Sequence, residues 1–391
     1  MRAWHVLHAL ASVYDVRLLA GSRYFPCSFG ELSDVVIPVS RRCVIPMNPL
    51  RDPVLLLSRI AERCLPGRFC APSGKPADWL PLTPSVRRTL ERFIAHDPVD
   101  VVHIFRLYMM PVMEALRPLL PRARYQLDLD DIESDTRLRL SERYRAVGRV
   151  RMAERLARDS RWCRHVEDEA GARFDRVWVC SRTDRDRLAT RQGGERLRIV
   201  PNTALPPDAV PAFLPRPFTF LFVGSLHFFP NRDAVEWMCR DVIPALRCRA
   251  PAPFSVRIVG HAGADDMARW KAMAPEADVR GFSPEIAGHY ADAHAVVVPL
   301  RAGGGTRIKI LEAFGYGRPV VATPAAVEGL EVEDGKHVLL GNDADALAER
   351  CARLMADPAL GAELGHRART LFDRSYAPPI MWRSVISATA V

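Results

Sequence analysis

The sequence lacks the long apolar runs that membrane-spanning helices need. No run approaches the roughly 18 to 20 apolar residues required to cross a bilayer. The first residues, MRAWHVLHALASVYDV, contain neither the apolar core nor the small-residue cleavage site of a secretory signal peptide. A cytoplasmic location is therefore expected.

Paired cysteine motifs are also missing. The nine cysteines form no CxxC pair and have no histidine at zinc-binding spacing, which favours buried, reduced thiols over disulfides or a metal site. Clustered aromatic side chains, on which single-stranded nucleic acids stack, are missing as well. Nucleic acid is therefore not an expected partner.

The composition is that of an ordinary soluble protein, with 48% hydrophobic and 26% charged residues. A chain of 391 residues is longer than one core usually serves, which favours two domains. The net charge of +9 indicates an anionic partner, such as a nucleotide or a membrane surface.

Much of the positive charge lies between Thr136 and His165. This segment holds ten arginines against three carboxylates, and apolar residues are interleaved with them. Two interpretations are open: a long solvated helix, or a surface that docks on anionic lipid at the inner face of the cell membrane.

Short apolar runs, each followed by a mixture of polar and apolar residues at helical spacing, recur along the chain. This pattern is typical of βα units around a parallel sheet. The predicted strands are 15–20, 34–39, 100–105, 124–129, 176–181 and 197–202 in the first half, and 218–224, 254–260, 277–282, 295–300, 319–324 and 337–342 in the second.

A proline-rich segment separates the two halves. Residues 201–218 contain six prolines in eighteen residues, which favours an extended linker over a packed element. We therefore predict a first domain at 1–205, a linker at 206–216 and a second domain at 217–375. Residues 376–391 are predicted to form a C-terminal helix that packs back on the first domain.

Three glycines follow the apolar run at 295–300. Backbone N–H groups at a strand-to-helix turn bind anions, and Gly303, Gly304 and Gly305 allow a phosphate to approach the main chain. On a helix that Thr306 caps, Lys309 and Glu312 are three residues apart, so one could meet a diphosphate and the other a vicinal diol such as a ribose. The alternative is a capped helix with a Lys–Glu pair and no ligand. Neither the GxGxxG nor the GxxxxGK[ST] spacing is present.

The order of motifs from FLFVGSLHFFPNRDAVEW to ADPALGAELGHRARTLFDRSY, ending at Tyr376, resembles the nucleotide-sugar-binding domain of GT-B glycosyltransferases of the retaining family 4 type. The resemblance implies an α/β fold of two Rossmann-like, doubly wound parallel-sheet domains facing a cleft. It also implies that the first domain lacks its first strand and glycine-rich loop, which relatives carry about 20 residues before this start.

The resemblance assigns the donor contacts to the second domain. Donor-binding residues would be Gly224, Ser225, Arg280, Gly281, Phe282, Gly303, Gly304, Gly305, Thr306 and Glu312. Glu312 would hold the ribose, while the position of the family's first signature glutamate is occupied by Gly304. Arg307 and Lys309 would then compensate the charge of the leaving diphosphate.

Residues of the first domain match the family less closely. Arg106, at a strand end, is the candidate catalytic residue on this side, and His103, Asp130 and Glu133 are candidates that face the acceptor. A buried strand position for His103, and loop or helix-cap roles for Asp130 and Glu133, are the alternatives. No metal and no other cofactor is expected, because a helix dipole and cations carry the charge compensation in this architecture.

The expected function is transfer of a sugar from a nucleoside-diphosphate sugar to a hydroxyl of a glycan or lipid-linked glycan, with retention, in polysaccharide or exopolysaccharide biosynthesis. Two alternatives remain: a nucleotide-sugar epimerase of the same fold, or a catalytically impaired protein that binds nucleotide sugars.

Overall fold

The computed structural model describes residues 1–21, 39–45, 79–94, 98–211 and 217–390. The chain divides into two compact units, a first unit of Met1–Val200 with Trp382–Val391 and a second unit of Pro201–Met381. Every strand pair in the described residues is parallel, and helices connect the strands, so the α/β prediction is confirmed. No helix within the described ranges is long and apolar enough to cross a membrane.

The first unit contains six strands in its described part. Its elements are α1 (Arg2–Ala11), β1 (Arg17–Ala20), β2 (Arg41–Val44), α2 (Pro84–Ile94), β3 (Val101–Phe105), α3 (Met110–Leu116), β4 (Arg124–Asp128), α4 (Glu133–Ala146), α5 (Val150–Arg173), β5 (Arg176–Val179), α6 (Arg182–Gln192) and β6 (Leu197–Ile199).

These strands form two separate parallel sheets. One is the pair β1-β2 and the other has the order β3-β4-β5-β6. The strand predicted at 34–39 falls, except for its last residue, outside the described residues, and β2 was not predicted.

The arginine-rich segment is a helical hairpin, so the interpretation as one long helix is wrong. Helices α4 and α5 run antiparallel, since the Ser141 hydroxyl donates to the Ala153 carbonyl at 2.7 Å and the Ser160 hydroxyl to the Ser134 carbonyl at 2.7 Å. Gly148 breaks the helical path at a φ of 76°. A left-handed backbone conformation of this kind ends a helix readily at glycine.

The second unit contains the other six strands. Its elements are β7 (Phe218–Val223), α7 (Phe229–Trp237), α8 (Ile243–Arg247), β8 (Phe254–Val259), α9 (Ala264–Met273), β9 (Ala277–Gly281), α10 (Ala287–Asp292), β10 (Ala295–Val298), α11 (Ile308–Gly315), β11 (Val320–Ala322), β12 (Leu339–Leu340), α12 (Ala344–Ala356) and α13 (Pro358–Ser375). A last helix, α14 (Pro378–Thr389), begins in this unit and ends in the first. A short π-helical turn at Met238–Val242 joins α7 to α8.

The second sheet has the strand order β12-β11-β10-β7-β8-β9, which is the doubly wound, Rossmann-like order. Its central strands β7 and β10 are almost wholly apolar, and all four side chains of β10 are buried. Strands covered by helices on both faces need apolar residues at successive positions rather than in alternation. This burial explains why the runs FTFLFV and AVVV were visible in the sequence.

Helix α11 begins at Ile308, one residue later than a cap at Thr306 would give. Arg307 is its N-cap with an extended backbone, and no side chain caps the helix, so the prediction that Thr306 is the cap is wrong. The chain uses positive φ angles at Gly303 and Gly305, 116° and 68°, to turn away from β10 before the helix starts. These conformations cost little at glycine, which has no Cβ.

The end of α14 groups with the first unit. The Trp382 indole N–H lies 3.3 Å from His5 Nδ1, and the Gln126 amide donates to the Thr389 carbonyl at 3.3 Å. These contacts hold Trp382–Val391 against α1 and β4.

Two buried glycines of α13 have very different surroundings. A Cβ added at Gly365 would lie 2.2 Å from the Gly317 carbonyl oxygen, whereas one at Gly361 would meet only Pro319 Cγ at 3.9 Å. We expect Gly365→Ala to lower the free energy of unfolding by about 1 to 3 kcal/mol through overpacking. Gly361→Ala should raise it by about 0.4 to 1 kcal/mol, because alanine restricts the unfolded chain.

Denaturant unfolding of both variants beside the parent protein measures this difference. Equal effects of the two substitutions would show that α13 does not approach Gly317 as closely as the structure indicates.

Candidate functional site

The site is built where the strand order of the second sheet reverses. From β7 the chain adds β8 and β9 on one side, and after β10 it adds β11 and β12 on the other. The loops that follow β7 and β10 therefore leave the same edge of the sheet in opposite directions. Open parallel sheets bind ligands in the crevice that such a reversal creates.

The loops after β7 and β8 approach each other at backbone distance. The Gly224 N–H donates to the Val259 carbonyl at 3.0 Å, and the Gly260 N–H donates to the Gly281 carbonyl at 2.7 Å. A Cβ at Gly260 would lie only 1.8 Å from the Gly224 carbonyl oxygen. Any side chain at position 260 would clash with the Gly224 carbonyl, so the two loops can approach this closely only with glycine there.

Lys309 reaches from α11 across the reversal to the loop after β7. Its ammonium donates to Asn231 Oδ1 at 2.8 Å and lies 4.2 Å from the centre of the Phe222 ring. A Cβ added at Gly224 would lie 2.7 Å from Lys309 Nζ. Asn231 also donates from Nδ2 to the Ser225 carbonyl at 2.9 Å, so one amide holds both the lysine and the loop.

Burial lowers the pKa of Lys309 to about 7. The neighbouring Arg307 cation lowers the pKa further, and the Glu312 carboxylate opposes the shift. An anion beside the ammonium would favour its charged form and raise the pKa again. The environment of Lys309 is therefore suited to a group that brings negative charge into the site.

Arg307 is folded back on the glycine loop. Its guanidinium donates to the Gly304 carbonyl and, at 2.9 Å, to the Gly305 carbonyl. This arrangement fixes the loop and keeps a positive charge beside it. The direct contact with phosphate that the sequence predicted for Arg307 stays a prediction.

Glu312 is buried, at 7% exposure, and accepts a hydrogen bond from the Tyr290 hydroxyl at 2.7 Å. Burial raises the pKa of the carboxyl, while the Tyr290 hydrogen bond and the Lys309 charge oppose the shift. Tyr290 is stacked on Tyr316 with ring centres 5.2 Å apart. The alternative of a Lys309–Glu312 pair is not what is observed, since each of the two side chains bonds another residue.

The predicted base contacts lie at the end of the edge strand β9. Arg280 Nε donates to Asp278 at 2.7 Å, so its side chain is engaged along its own strand. Gly281 has a φ of 71° and Phe282 is 71% exposed. The exposed ring and the main chain of this turn are thus open to a ligand.

Two residues that hold the site together were missed by sequence reasoning. Asn231 lies in the first turn of α7, after Pro230, and Tyr290 lies in the short helix α10 before β10. Neither position carries a charge or a recognisable spacing. Only the fold reveals that they contact Lys309 and Glu312.

The candidates of the first unit meet at the carboxyl ends of β3 and β4. Arg106 forms an ion pair with Asp130 and approaches Asp131 at 3.1 Å and Glu133 at 3.4 Å. Arg106 and Asp130 have φ angles of 72° and 59°, and no other non-glycine residue in the described ranges has a positive φ. Such conformations cluster at functional sites because the surrounding structure must stabilise them.

His103 lies in the same region and is half-buried. Its ring lies 4.5 Å from Trp178 between centres, and Nε2 is 4.0 Å from Asp128 Oδ2. Burial lowers the pKa of His103, although the Asp128 carboxylate opposes the shift. Asp128 itself is paired with buried Arg2 at 2.8 Å, a residue that sequence reasoning did not identify. His103 thus has the environment of a strand residue at the margin of the cluster.

No group of three or more potential metal ligands occurs among the residues that the structure describes. Asp128 and Asp130 have the Asp-x-Asp spacing that is found in some metal sites, and both form ion pairs with arginines. Arg2 bonds Asp128, and Arg106 bonds Asp130.

Residues 217–357 match the family model described as glycosyl transferases group 1. This segment spans β7 to the end of α12 and includes the site at the strand-order reversal. The predicted enzyme class, a glycosyltransferase, is thereby confirmed. No curated protein matches the chain.

Solved structures of glycosyltransferases share the fold. A sucrose-phosphate synthase from Thermosynechococcus elongatus superposes with a TM-score of 0.69 at 18% identity, over 99% of this chain and 91% of that one. HepE from Anabaena, in complex with UDP-glucose, gives 0.65 at 17% identity over 98% and 94%. A glycosyltransferase from Rickettsia africae gives 0.60 at 12% identity over 98% and 92%. At these identities the likeness establishes the GT-B fold.

The low pKa of Lys309 is open to direct measurement, because the sequence contains only four lysines: Lys75, Lys271, Lys309 and Lys336. In NMR of protein labelled with ¹³C-lysine, we expect one Nζ-adjacent signal to titrate near pH 7. Ordinary exposed lysines titrate near about 10.4. Lys309→Arg assigns the signal by removing it.

Asn231→Asp is the matched test, because it replaces the amide oxygen beside the ammonium with a carboxylate. We expect it to raise the pKa of Lys309 to about 8 or higher. Titration of every lysine above about pH 9 would contradict the buried position of Lys309.

Proposed function

We propose that this chain, whose residues 217–357 form a glycosyltransferase domain, transfers the sugar of a nucleoside-diphosphate sugar to a hydroxyl of a glycan or lipid-linked glycan, with retention and without a metal. The observation that carries the proposal is the position of Lys309. Its side chain starts on α11, after β10, and its ammonium lies beside Gly224 and Asn231, which follow β7. A cation placed there meets the phosphates of any ligand bound at this edge of the sheet.

The diphosphate would bind to the glycine loop. The positive φ angles at Gly303 and Gly305 allow the main chain to approach an anion closely. The N-terminus of α11 and the two cations Arg307 and Lys309 add positive charge on one side. HepE, which shares the fold, has been solved in complex with UDP-glucose.

The ribose would bind to Glu312. The Tyr290 hydroxyl occupies Oε2 and so fixes the plane of the carboxylate. A carboxylate has further acceptor sites on both oxygens and can receive a hydroxyl from a diol. This geometry supports recognition of a nucleoside rather than of a free phosphate.

The reaction would proceed by electrostatic stabilisation of the leaving group. The bond between the anomeric carbon and the phosphate oxygen breaks, and the acceptor oxygen forms a new bond to that carbon on the same face. The acceptor proton passes to the departing phosphate oxygen. Lys309 and the loop N–H groups stabilise the charge that develops on the diphosphate.

The acceptor would be recognised by the Arg106 cluster of the first unit. Asp130, Asp131 and Glu133 present carboxylate oxygens and Arg106 presents N–H donors, a mixture that suits sugar hydroxyls. A lipid-linked acceptor would place the enzyme in the cytoplasm at the inner face of the cell membrane.

Incubation with labelled nucleotide sugars, with and without a membrane extract, tests the proposal. We expect label to move to a glycan or lipid fraction only with the extract, and a chelator to leave the rate unchanged. Isomerised donor without transfer would instead identify an epimerase. Selective binding without turnover would identify a protein that only binds nucleotide sugars.

Glu312→Gln should weaken binding of the nucleoside diphosphate by about 1.5 to 3 kcal/mol, because the charged acceptor for the ribose is lost. The substitution keeps the shape of the side chain and an oxygen for the Tyr290 hydroxyl. Since burial raises the pKa of Glu312, the neutral amide should not destabilise the fold at neutral pH. Calorimetry with the nucleotide selected by a thermal-shift screen measures the loss.

Tyr290→Phe is the companion variant, since it leaves the carboxylate but removes the hydroxyl that orients it. We expect a smaller loss of about 0.5 to 1.5 kcal/mol. Unchanged affinity in Glu312→Gln would refute the ribose assignment.

Gly305→Val should reduce donor affinity more than tenfold, because a branched side chain blocks the approach of a phosphate to the loop. Valine at this position also strains the backbone by about 1 to 2 kcal/mol, because φ is 68°. Gly335→Val provides the matched control, because Gly335 has a φ of 72° and open space around its Cβ position. The control should lose similar stability and bind donor normally, so equal donor affinity in the two variants would limit Gly305 to a role in the turn.

A further inference from the structure

The hairpin of α4 and α5 projects a fully exposed end from the first unit. Residues 145–152, here termed the hairpin tip, comprise the last turn of α4, the connection and the first turn of α5, and each of them is exposed. Neighbouring residues on the shafts of the hairpin are buried at positions such as Leu140 and Ala153. The tip is thus a distinct exposed surface at the end of two helices that pack on each other.

The hairpin tip is strongly cationic. Residues 143–153 contain four arginines and no carboxylate. Within the described part of the chain, the side chains of Arg145, Arg149 and Arg151 make no hydrogen bond or ion pair. Exposed Arg164, on the α5 shaft of the same hairpin, is by contrast paired with Asp135 at 3.0 Å. The charge at the tip is therefore not neutralised by the protein itself.

Apolar side chains alternate with these arginines. Val147 is 41% exposed, Val150 49% and Met152 41%. None of the three belongs to the buried core of the first unit. Apolar side chains exposed beside uncompensated cations suit a partner that accepts both.

An anionic bilayer has that combination of properties. Its headgroup phosphates receive guanidinium groups, and short apolar side chains enter the boundary between headgroups and acyl chains. A nucleic acid would need aromatic side chains for stacking, and the tip contains none. A helix with a few apolar residues of this kind lies on a membrane rather than crossing it.

We propose that the hairpin tip is the membrane-binding element of this protein and that its partner is the surface of an anionic phospholipid bilayer. Arg145, Arg149 and Arg151 contact the phosphates, while Val147, Val150 and Met152 enter the interface between them. The proposal concerns binding alone and does not depend on the proposed reaction.

Co-sedimentation with phosphatidylcholine vesicles, with and without phosphatidylglycerol, tests the proposal at low ionic strength. The parent protein should sediment with the anionic vesicles only, and added salt should release it. Arg149→Gln/Arg151→Gln should weaken vesicle binding about 25-fold, at about fivefold for each arginine. Val147→Ser/Val150→Ser should weaken it about tenfold or more, because the inserted apolar area is lost.

Arg87→Gln/Arg92→Gln is the matched control, since both arginines are exposed on α2 and the change in net charge is the same. It should alter vesicle binding by no more than about twofold. Equal losses in the two arginine pairs would overturn the proposal in favour of diffuse charge attraction. No sedimentation with anionic vesicles, or equal sedimentation with neutral ones, would overturn it as well.

Discussion

The parallel pairing of β7 with β10 is the constraint on which the second unit depends. These strands are separated by more than seventy residues, yet their pairing places two glycine loops side by side at the carboxyl edge of the sheet. Lys309 can bond Asn231, 78 residues away in sequence, only because of this pairing. The buried apolar runs that drive the strands together thus also create the polar site at their ends.

Burying the charged side chains of the site lowers the stability of the second unit. Burial disfavours the charged forms of both Lys309 and Glu312, lowering the pKa of one and raising that of the other. Their separate partners, Asn231 and Tyr290, are neutral groups that orient the charges without cancelling them. Charges arranged in this way remain available to a ligand, and perturbed pKa values of this kind are typical of functional sites.

The first unit keeps its charges in paired networks instead. Arg2 bonds buried Asp128, and Arg106 bonds Asp130 in strained backbone at the ends of β3 and β4. At the hairpin tip, by contrast, Arg145, Arg149 and Arg151 face solvent without carboxylate partners among the described residues. We propose different partners for these two surfaces: a polyhydroxyl acceptor for the paired groups and an anionic bilayer for the unpaired charges.

The sequence by itself determined the strand pattern, the glycine loop and the presence of Lys309 and Glu312 on one helix, because these depend on neighbours along the chain and on local periodicity. It could not determine where α11 begins, since the turn at Gly303 and Gly305 places the N-cap at Arg307, one residue after Thr306. Nor could it show that α4 and α5 fold back on each other. Only the tertiary structure decided the partners of each charge, because those contacts join residues far apart in sequence that meet when the sheet forms.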